Sequence, residues 1–212
     1  MADYTTGNRF FSTKALMRMP RIRVFGNAGL SLMSKMSSGY WNVVDPTNGY
    51  TAIHSRILDL IPFEKISKRY FFESDLLFRL GLVRAVVRDV PIQSRYGDEE
   101  SNLNIWKTLA SFPLLHLRCF IKRILYLYFV REFNAGSLQL VLALLLMLGG
   151  ASLGGWEWIH HARQDTIASS GTVMLSALPV ILGFQLLLAF LMFDLNSVPK
   201  DPVHPLLPEG VL

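Results

Sequence analysis

Two long apolar stretches in the last third of the chain constrain its fold more than any other feature. Residues 137–156 run for 20 positions without a charged side chain, and residues 167–193 run for 27. About 20 apolar residues in a helix are enough to cross the hydrocarbon core of a bilayer. The sequence therefore predicts a transmembrane hairpin over 135–195, with spans at about 137–156 and 170–193.

The distribution of cations around these spans predicts their orientation. The basic residues of the flank before the first span are Lys107, Arg118, Lys122, Arg123 and Arg131. The connector between the spans has only Arg163. Because Lys and Arg accumulate on the cytoplasmic side, we expect both ends of the hairpin there. In a bacterium, this predicts an integral protein of the inner (cytoplasmic) membrane with its globular part on the cytoplasmic side.

The segment 104–134 mixes these cations with aromatic and aliphatic side chains. Such a pattern beside a membrane span is typical of amphipathic helices that lie in the interface plane, and Pro113 predicts a break between two of them. An ordinary core helix is the alternative. The tail, 196–212, contains four prolines and is predicted to be an extended cytoplasmic end. The net charge of +5 thus suits an anionic membrane surface, and we expect no nucleic-acid partner.

Residues 1–103 have the alternating pattern of an α/β domain. We predict helices at 25–36, 56–60 and 73–82, and strands at 40–44 and 83–92. Between them, residues 45–52 read Asp-Pro-Thr-Asn-Gly-Tyr-Thr-Ala, a turn that leads into a short strand. Asp45 could offer its carboxylate to a ligand there, or it could simply open an Asx-turn.

The first 25 residues are polar and basic. Arg9, Arg18, Arg21 and Arg23 lie within 15 residues, mixed with Asn and Gly. Guanidinium groups match phosphate oxygens, so this stretch could bind phosphate, although a solvated basic arm is equally compatible with it. The polar loop at 94–102 is expected to be mobile and able to carry binding residues. Cys119 is the single cysteine, so no intrachain disulfide can form.

Seven short motifs follow one another in a set order. They are Phe25-Gly26-Asn27, Ser38-Gly39-Tyr40-Trp41, residues 45–52, Tyr70 to Asp75, Asp89-Val90-Pro91, Arg95-Tyr96-Gly97 and Ser101-Asn102-Leu103. Together with the hairpin, this order resembles family 2 glycosyltransferases, specifically the polyprenyl-phosphate glycosyltransferases similar to dolichyl-phosphate mannose synthase. The resemblance extends over roughly residues 3–198.

The resemblance implies a GT-A fold and an inverting transfer of a sugar from a nucleotide-sugar donor to polyprenyl phosphate. In that family a nucleotide-binding half precedes the region matched here and carries an Asp-x-Asp metal motif, which this chain lacks. We therefore expect residues 1–103 to be the acceptor-side part of the catalytic domain. We also expect Mg²⁺ or Mn²⁺ in the complete enzyme, with no metal ligands in this chain. Related enzymes can form tetramers, so a homo-oligomer is a possible state.

The same resemblance assigns individual residues. Its acceptor-phosphate arginines match Arg9, Arg23 and Arg95. Its catalytic acid matches Asp45, and Glu73 and Asp75 are given a supporting or sugar-binding role, although acids at a helix start are also ordinary capping residues. The acceptor loop corresponds to Asn48, Gly49 and Tyr50. A second hypothesis remains open: without the donor half, the chain could be an inactive truncated fragment or a membrane-anchored partner that binds polyprenyl phosphate.

Overall fold

The computed structural model describes residues 1–11, 21–92 and 105–208. The chain divides into two compact units. The sheet unit consists of Met1–Leu127 and Ser197–Leu212, and the hairpin unit consists of Tyr128–Asn196. Much of the segment predicted as juxtamembrane, up to Leu127, therefore belongs to the sheet unit.

Within the described residues, three strands form a small mixed sheet in the order β2-β1-β3. Strand β1 (Tyr4–Asn8) is the central strand. It pairs in the antiparallel direction with β2 (Thr51–Ile53) and in the parallel direction with β3 (Val87–Pro91). Sequence analysis predicted β2 and β3 approximately, but it treated the first residues as an irregular basic arm. The central strand was missed because its polar sequence, Tyr-Thr-Thr-Gly-Asn, shows no apolar alternation.

In the part of the chain that the structure describes, four α-helices accompany the sheet. They are α1 (Arg21–Ser38), α2 (Ser55–Leu58), α3 (Phe72–Val83) and α4 (Ile105–Leu125). Helix α3 packs closely on the end of α1, and a Cβ atom at Gly81 would collide with the backbone carbonyl of Ser38. A buried aliphatic cluster that includes Ile57, Leu77, Leu80 and Val87 forms the core beside the sheet. A second buried cluster joins Phe71, Phe78, Phe112 and Cys119.

The strand predicted at 40–44 is wrong, because this segment is a turn. Gly39 has a φ of 83°, in the left-handed region that glycine adopts easily, and it turns the chain as α1 ends. Tyr40 is then buried, and its hydroxyl donates a hydrogen bond of 2.6 Å to the carbonyl of Ala85. In the segment 40–44, Tyr40 and Val43 are buried without a strand ladder, whereas Val44 is exposed.

The predicted break at Pro113 is also wrong, because α4 runs through it from Ile105 to Leu125. A proline inside a helix removes one backbone hydrogen bond. Burial of Phe112 and His116 on either side of the proline offsets this cost. A single π-helical stretch, Tyr126–Arg131, follows in the chain.

The hairpin unit contains two long helices, α5 (Ala135–Gln164) and α6 (Ser170–Asn196). Both are long and apolar enough to cross a membrane. Small residues let them approach closely: a Cβ atom at Gly150 would lie 2.7 Å from the carbonyl oxygen of Ser176, and one at Gly183 would lie 2.9 Å from that of Ala143. The hydroxyl of Tyr128 donates to Asp194 Oδ1 at 2.7 Å, and both residues are buried.

The tail after α6 differs from the extended end predicted for 196–212. Val203 and Leu207 pack against the aliphatic core of the sheet unit. The carboxylate of Asp3 accepts hydrogen bonds from the backbone N–H groups of Val86, Val203 and His204 and from His204 Nδ1, the last at 2.6 Å. Buried acceptor groups need donors, and the tail supplies three of the four to Asp3. The tail therefore returns to the residue that precedes the first strand.

Candidate functional site

A partly buried ion pair lies where β1 ends. Arg9 Nε donates to Asp45 Oδ2 at 2.7 Å, Arg9 Nη2 donates to Asp45 Oδ1 at 2.9 Å, and the backbone N–H of Arg9 donates to Oδ2 at 3.3 Å. The Asp45 side chain is fully buried, whereas that of Arg9 is 30% exposed. Two parallel N–H···O bonds fix the plane of a guanidinium group. In this geometry the carboxylate orients Arg9.

The turn predicted as an acceptor loop is fastened to the same end of β1. Asn48 Nδ2 donates to the carbonyl of Gly7 at 2.6 Å, and its Oδ1 accepts from the backbone N–H of Tyr50 at 3.0 Å. The N–H of Gly7 donates back to the carbonyl of Tyr50 at 2.8 Å. The Tyr50 side chain is 78% exposed. Gly49 has no neighbour within 4 Å of a built Cβ, so sterics do not require glycine there.

Sequence reasoning missed Asp89 as a member of this site. Asp89 lies opposite Thr6 in the parallel ladder, and its Oδ2 accepts hydrogen bonds from Asn8 Nδ2 at 3.0 Å and from the backbone N–H of Val44 at 2.8 Å. Burial raises the pKa of Asp89, and the negative charge of Asp45 raises it further. A usable signal was present in the sequence of β3, because a carboxylate in a strand rich in valine is unusual and could have indicated a site residue.

Glu73 and Asp75 lie in the first turn of α3. Asp75 is buried and accepts from the backbone N–H of Ser67 at 2.6 Å and from Arg79 at 3.3 Å. Through these contacts, Asp75 stabilises the segment that leads into α3. Burial raises the pKa of Tyr4, a hydrogen bond with Thr51 opposes the rise, and the charge of Glu73 adds to it. Among the residues that the structure describes, we find no hydrogen bond or ion pair between these two acids and the Arg9–Asp45 pair.

The positions of the other two predicted arginine side chains are outside the described part of the structure. Arg23 is in the first turn of α1, and Arg95, with the loop 94–102, is outside the described residues. Among the residues that the structure describes, no group of three or more His, Cys, Asp and Glu side chains is arranged to hold a metal ion. The described side chains therefore do not provide a ligand set for the expected divalent cation.

The site contains charges of both signs. Arg9 and Asp45 are in contact, Asp89 is near enough to Asp45 to feel its charge, and the positive charge of Lys35 acts on Asp89 in the opposite direction. A guanidinium group held in one plane by a buried carboxylate, and partly open to solvent, is a suitable partner for a phosphate group. Both oxygens of Asp45 and the Oδ2 atom of Asp89 accept hydrogen bonds from donors within the site.

Comparisons with known proteins give one distant relative. The chain is 28% identical over 96 residues to the UDP-N-acetylglucosamine–dolichyl-phosphate N-acetylglucosaminyltransferase of Methanococcus voltae. The match covers 45% of this chain and 38% of the relative, so the chain spans well under half of that protein. No protein-family model and no solved structure matches the chain. By its name, the relative transfers a sugar to a polyprenyl phosphate, which supports the general class suggested by the sequence motifs.

Proposed function

We propose that this chain is the acceptor-binding, membrane-anchored part of a family 2 glycosyltransferase with a GT-A fold. The enzyme transfers a sugar from a nucleotide-sugar to polyprenyl phosphate with inversion. The observation that carries the proposal is the Arg9–Asp45 pair, because it presents an oriented guanidinium group at the end of the central strand. The distant relative, named for transfer to dolichyl phosphate, supports the same acceptor class.

The residues present favour phosphate binding over proton transfer. The nucleophile is a phosphate oxygen that is already ionised near neutral pH, so the reaction needs little help from a general base. Arg9 neutralises the acceptor phosphate, and Asp45 holds Arg9 in place. Arg23 and Arg95 remain proposed phosphate ligands by resemblance. A divalent cation, held by the donor half, would offset the charge of the departing nucleotide diphosphate.

We also propose that this site works at a membrane surface. Helices α5 and α6 are long and apolar enough to span it, and the acceptor is itself a membrane lipid. We propose that the sheet unit is on the cytoplasmic side, as the Lys and Arg distribution indicates. Extraction with alkaline carbonate tests the membrane part: the protein should stay in the membrane pellet, and release into the supernatant would refute the hairpin.

A binding partner without activity is the second candidate, and the short span of the match favours it. To separate the two, the full chain in nanodiscs is incubated with decaprenyl phosphate and radiolabelled UDP-N-acetylglucosamine, with and without Mg²⁺. Labelled lipid from this chain alone identifies an enzyme. Saturable binding of polyprenyl phosphate without labelled product identifies the acceptor-binding part. The proposed function is refuted if wild type shows neither outcome, or if wild type binds polyprenyl phosphate and Arg9→Lys binds it equally well.

A further inference from the structure

A single carboxylate oxygen joins the two segments that carry the ion pair. Asp89 Oδ2 accepts from Asn8 Nδ2 and from the backbone N–H of Val44. Asn8 directly precedes Arg9, and Val44 directly precedes Asp45. The residue before each member of the pair is therefore bonded to the same atom.

The turn at 40–44 has a second contact with β3, nearer the start of that strand. Asn42 Nδ2 donates to the carbonyl of Val87 at 2.8 Å, two residues before Asp89. Residues 42–44 therefore run beside β3 and are held at both ends, although they form no strand. Of these two contacts, only the one at Asp89 also involves β1, through Asn8.

Burial of Asp89 is costly. Its Oδ1 is buried without a hydrogen-bond partner among the described residues, and burial and the nearby Asp45 charge raise its pKa. A buried acceptor without a donor destabilises the folded state. Since the two bonds to Oδ2 need only an acceptor oxygen, an amide at this position could preserve much of the geometry without the charge.

We propose that Asp89 is a positioning residue of the candidate acceptor site, which sets Arg9 relative to Asp45 by clamping Asn8 and Val44 to one oxygen atom. This inference rests on the proposed function. Asp89 itself does not touch the lipid phosphate in this scheme. It acts through Arg9, whose guanidinium plane depends on where Asp45 is held.

The test measures binding of farnesyl phosphate to the full chain in detergent micelles, with farnesol as the probe that lacks the phosphate. Asp89→Ala removes both acceptor bonds and should weaken farnesyl phosphate binding by about tenfold, equivalent to the loss of about one charge-assisted hydrogen bond. Asp89→Asn keeps an acceptor oxygen and should recover most of that loss. Asp201→Ala, at an exposed acid in the tail, is the matched control and should bind as wild type.

A second variant covers the case in which Asp89→Ala does not fold. Asn8→Asp keeps the side-chain oxygen that accepts from the backbone N–H of Phe10, but it replaces the donor to Asp89 with an acceptor. It should weaken farnesyl phosphate binding at least as much as Asp89→Ala.

The outcomes separate the two proposals. If wild type binds farnesyl phosphate no better than farnesol, the proposed function fails, and this inference fails with it. If wild type prefers the phosphate but Asp89→Ala and Asn8→Asp bind as tightly as wild type, only the positioning role is overturned. If Asp89→Asn binds farnesyl phosphate as weakly as Asp89→Ala, binding depends on the charge of Asp89 and not on the hydrogen bonds to its Oδ2 atom. That result also overturns the proposal.

Discussion

Replacing Asp45 by asparagine tests the central ion pair directly. The carboxylate is fully buried and receives two guanidinium bonds, at 2.7 and 2.9 Å, and a backbone bond at 3.3 Å. Asparagine keeps one acceptor oxygen but turns an N–H₂ group towards the donors of Arg9. Charge-assisted hydrogen bonds contribute roughly 1.5–3 kcal/mol each, and breaking a fully buried pair costs about 3–5 kcal/mol.

The exposure of Arg9 lowers this figure, since solvent screens a side chain that is 30% exposed. We therefore expect Asp45→Asn to reduce the free energy of unfolding of the sheet unit by about 3 kcal/mol. For a unit of this size, that corresponds to a fall in Tm of roughly 6–12 °C.

The measurement follows thermal unfolding by the fluorescence of Trp41, three residues before Val44, with the other three tryptophans replaced by phenylalanine. A double-mutant cycle with Arg9→Ala should show a coupling of about 2 kcal/mol. A Tm within about 1 °C of wild type, or no coupling, would show that the pair contributes no stability, and the orientation of Arg9 by Asp45 would have to be abandoned.

Three further changes test other parts of the sheet unit. Burial lowers the pKa of His116 from 6.5 to about 4. The free energy of unfolding is therefore highest above pH 6.5, where His116 is neutral in both states, and it falls by about 3 kcal/mol as the pH decreases towards 4. In His116→Gln, urea titrations should show that this part of the pH dependence is absent. Gly81→Ala would place a methyl group on the Ser38 carbonyl, and a Tm that falls by less than about 5 °C would contradict that packing. Burial alone would raise the pKa of Asp3, but hydrogen bonds from Val86, the tail backbone and His204 outweigh it and lower the pKa, so its contribution is present above pH 3.8 and lost below it. Asp3→Asn should lower stability at pH 7 and flatten the acid limb of the stability profile, and an unchanged profile would refute the assignment.

The helices were predictable because their signals are local. Helix α3 begins and ends within one residue of the predicted 73–82, and the two apolar helices were evident from length and composition alone. Their structure confirms two elements able to span a membrane, and the sidedness stays a prediction.

The elements that were missed depend on contacts distant in sequence. Strand β1 is recognisable only once Asn48 and Asp89 supply partners to its polar residues, some 40 and 80 positions away. The turn at 40–44 reads as a strand until Gly39 and the Tyr40 hydroxyl bond are known. At the site, the resemblance to the glycosyltransferase family identified Arg9 and Asp45, and the structure shows that they form an ion pair. Asp89 could not be identified in this way, because its proposed role depends on one oxygen atom that contacts two segments distant in sequence.

The return of the tail to Asp3 has a consequence for synthesis. The donors from Val203 and His204 leave the ribosome about 200 residues after the carboxylate they satisfy, and both apolar helices are made in between. Until then, Asp3 lacks three of its four donors, and the sheet unit is incomplete. A chain cut before the hairpin would lose the tail too, so the sheet unit is better isolated by joining Leu127 to Ser197 through a short linker than by truncation. During translation, the apolar helices are available for membrane insertion before the N-terminal strand has received all its partners.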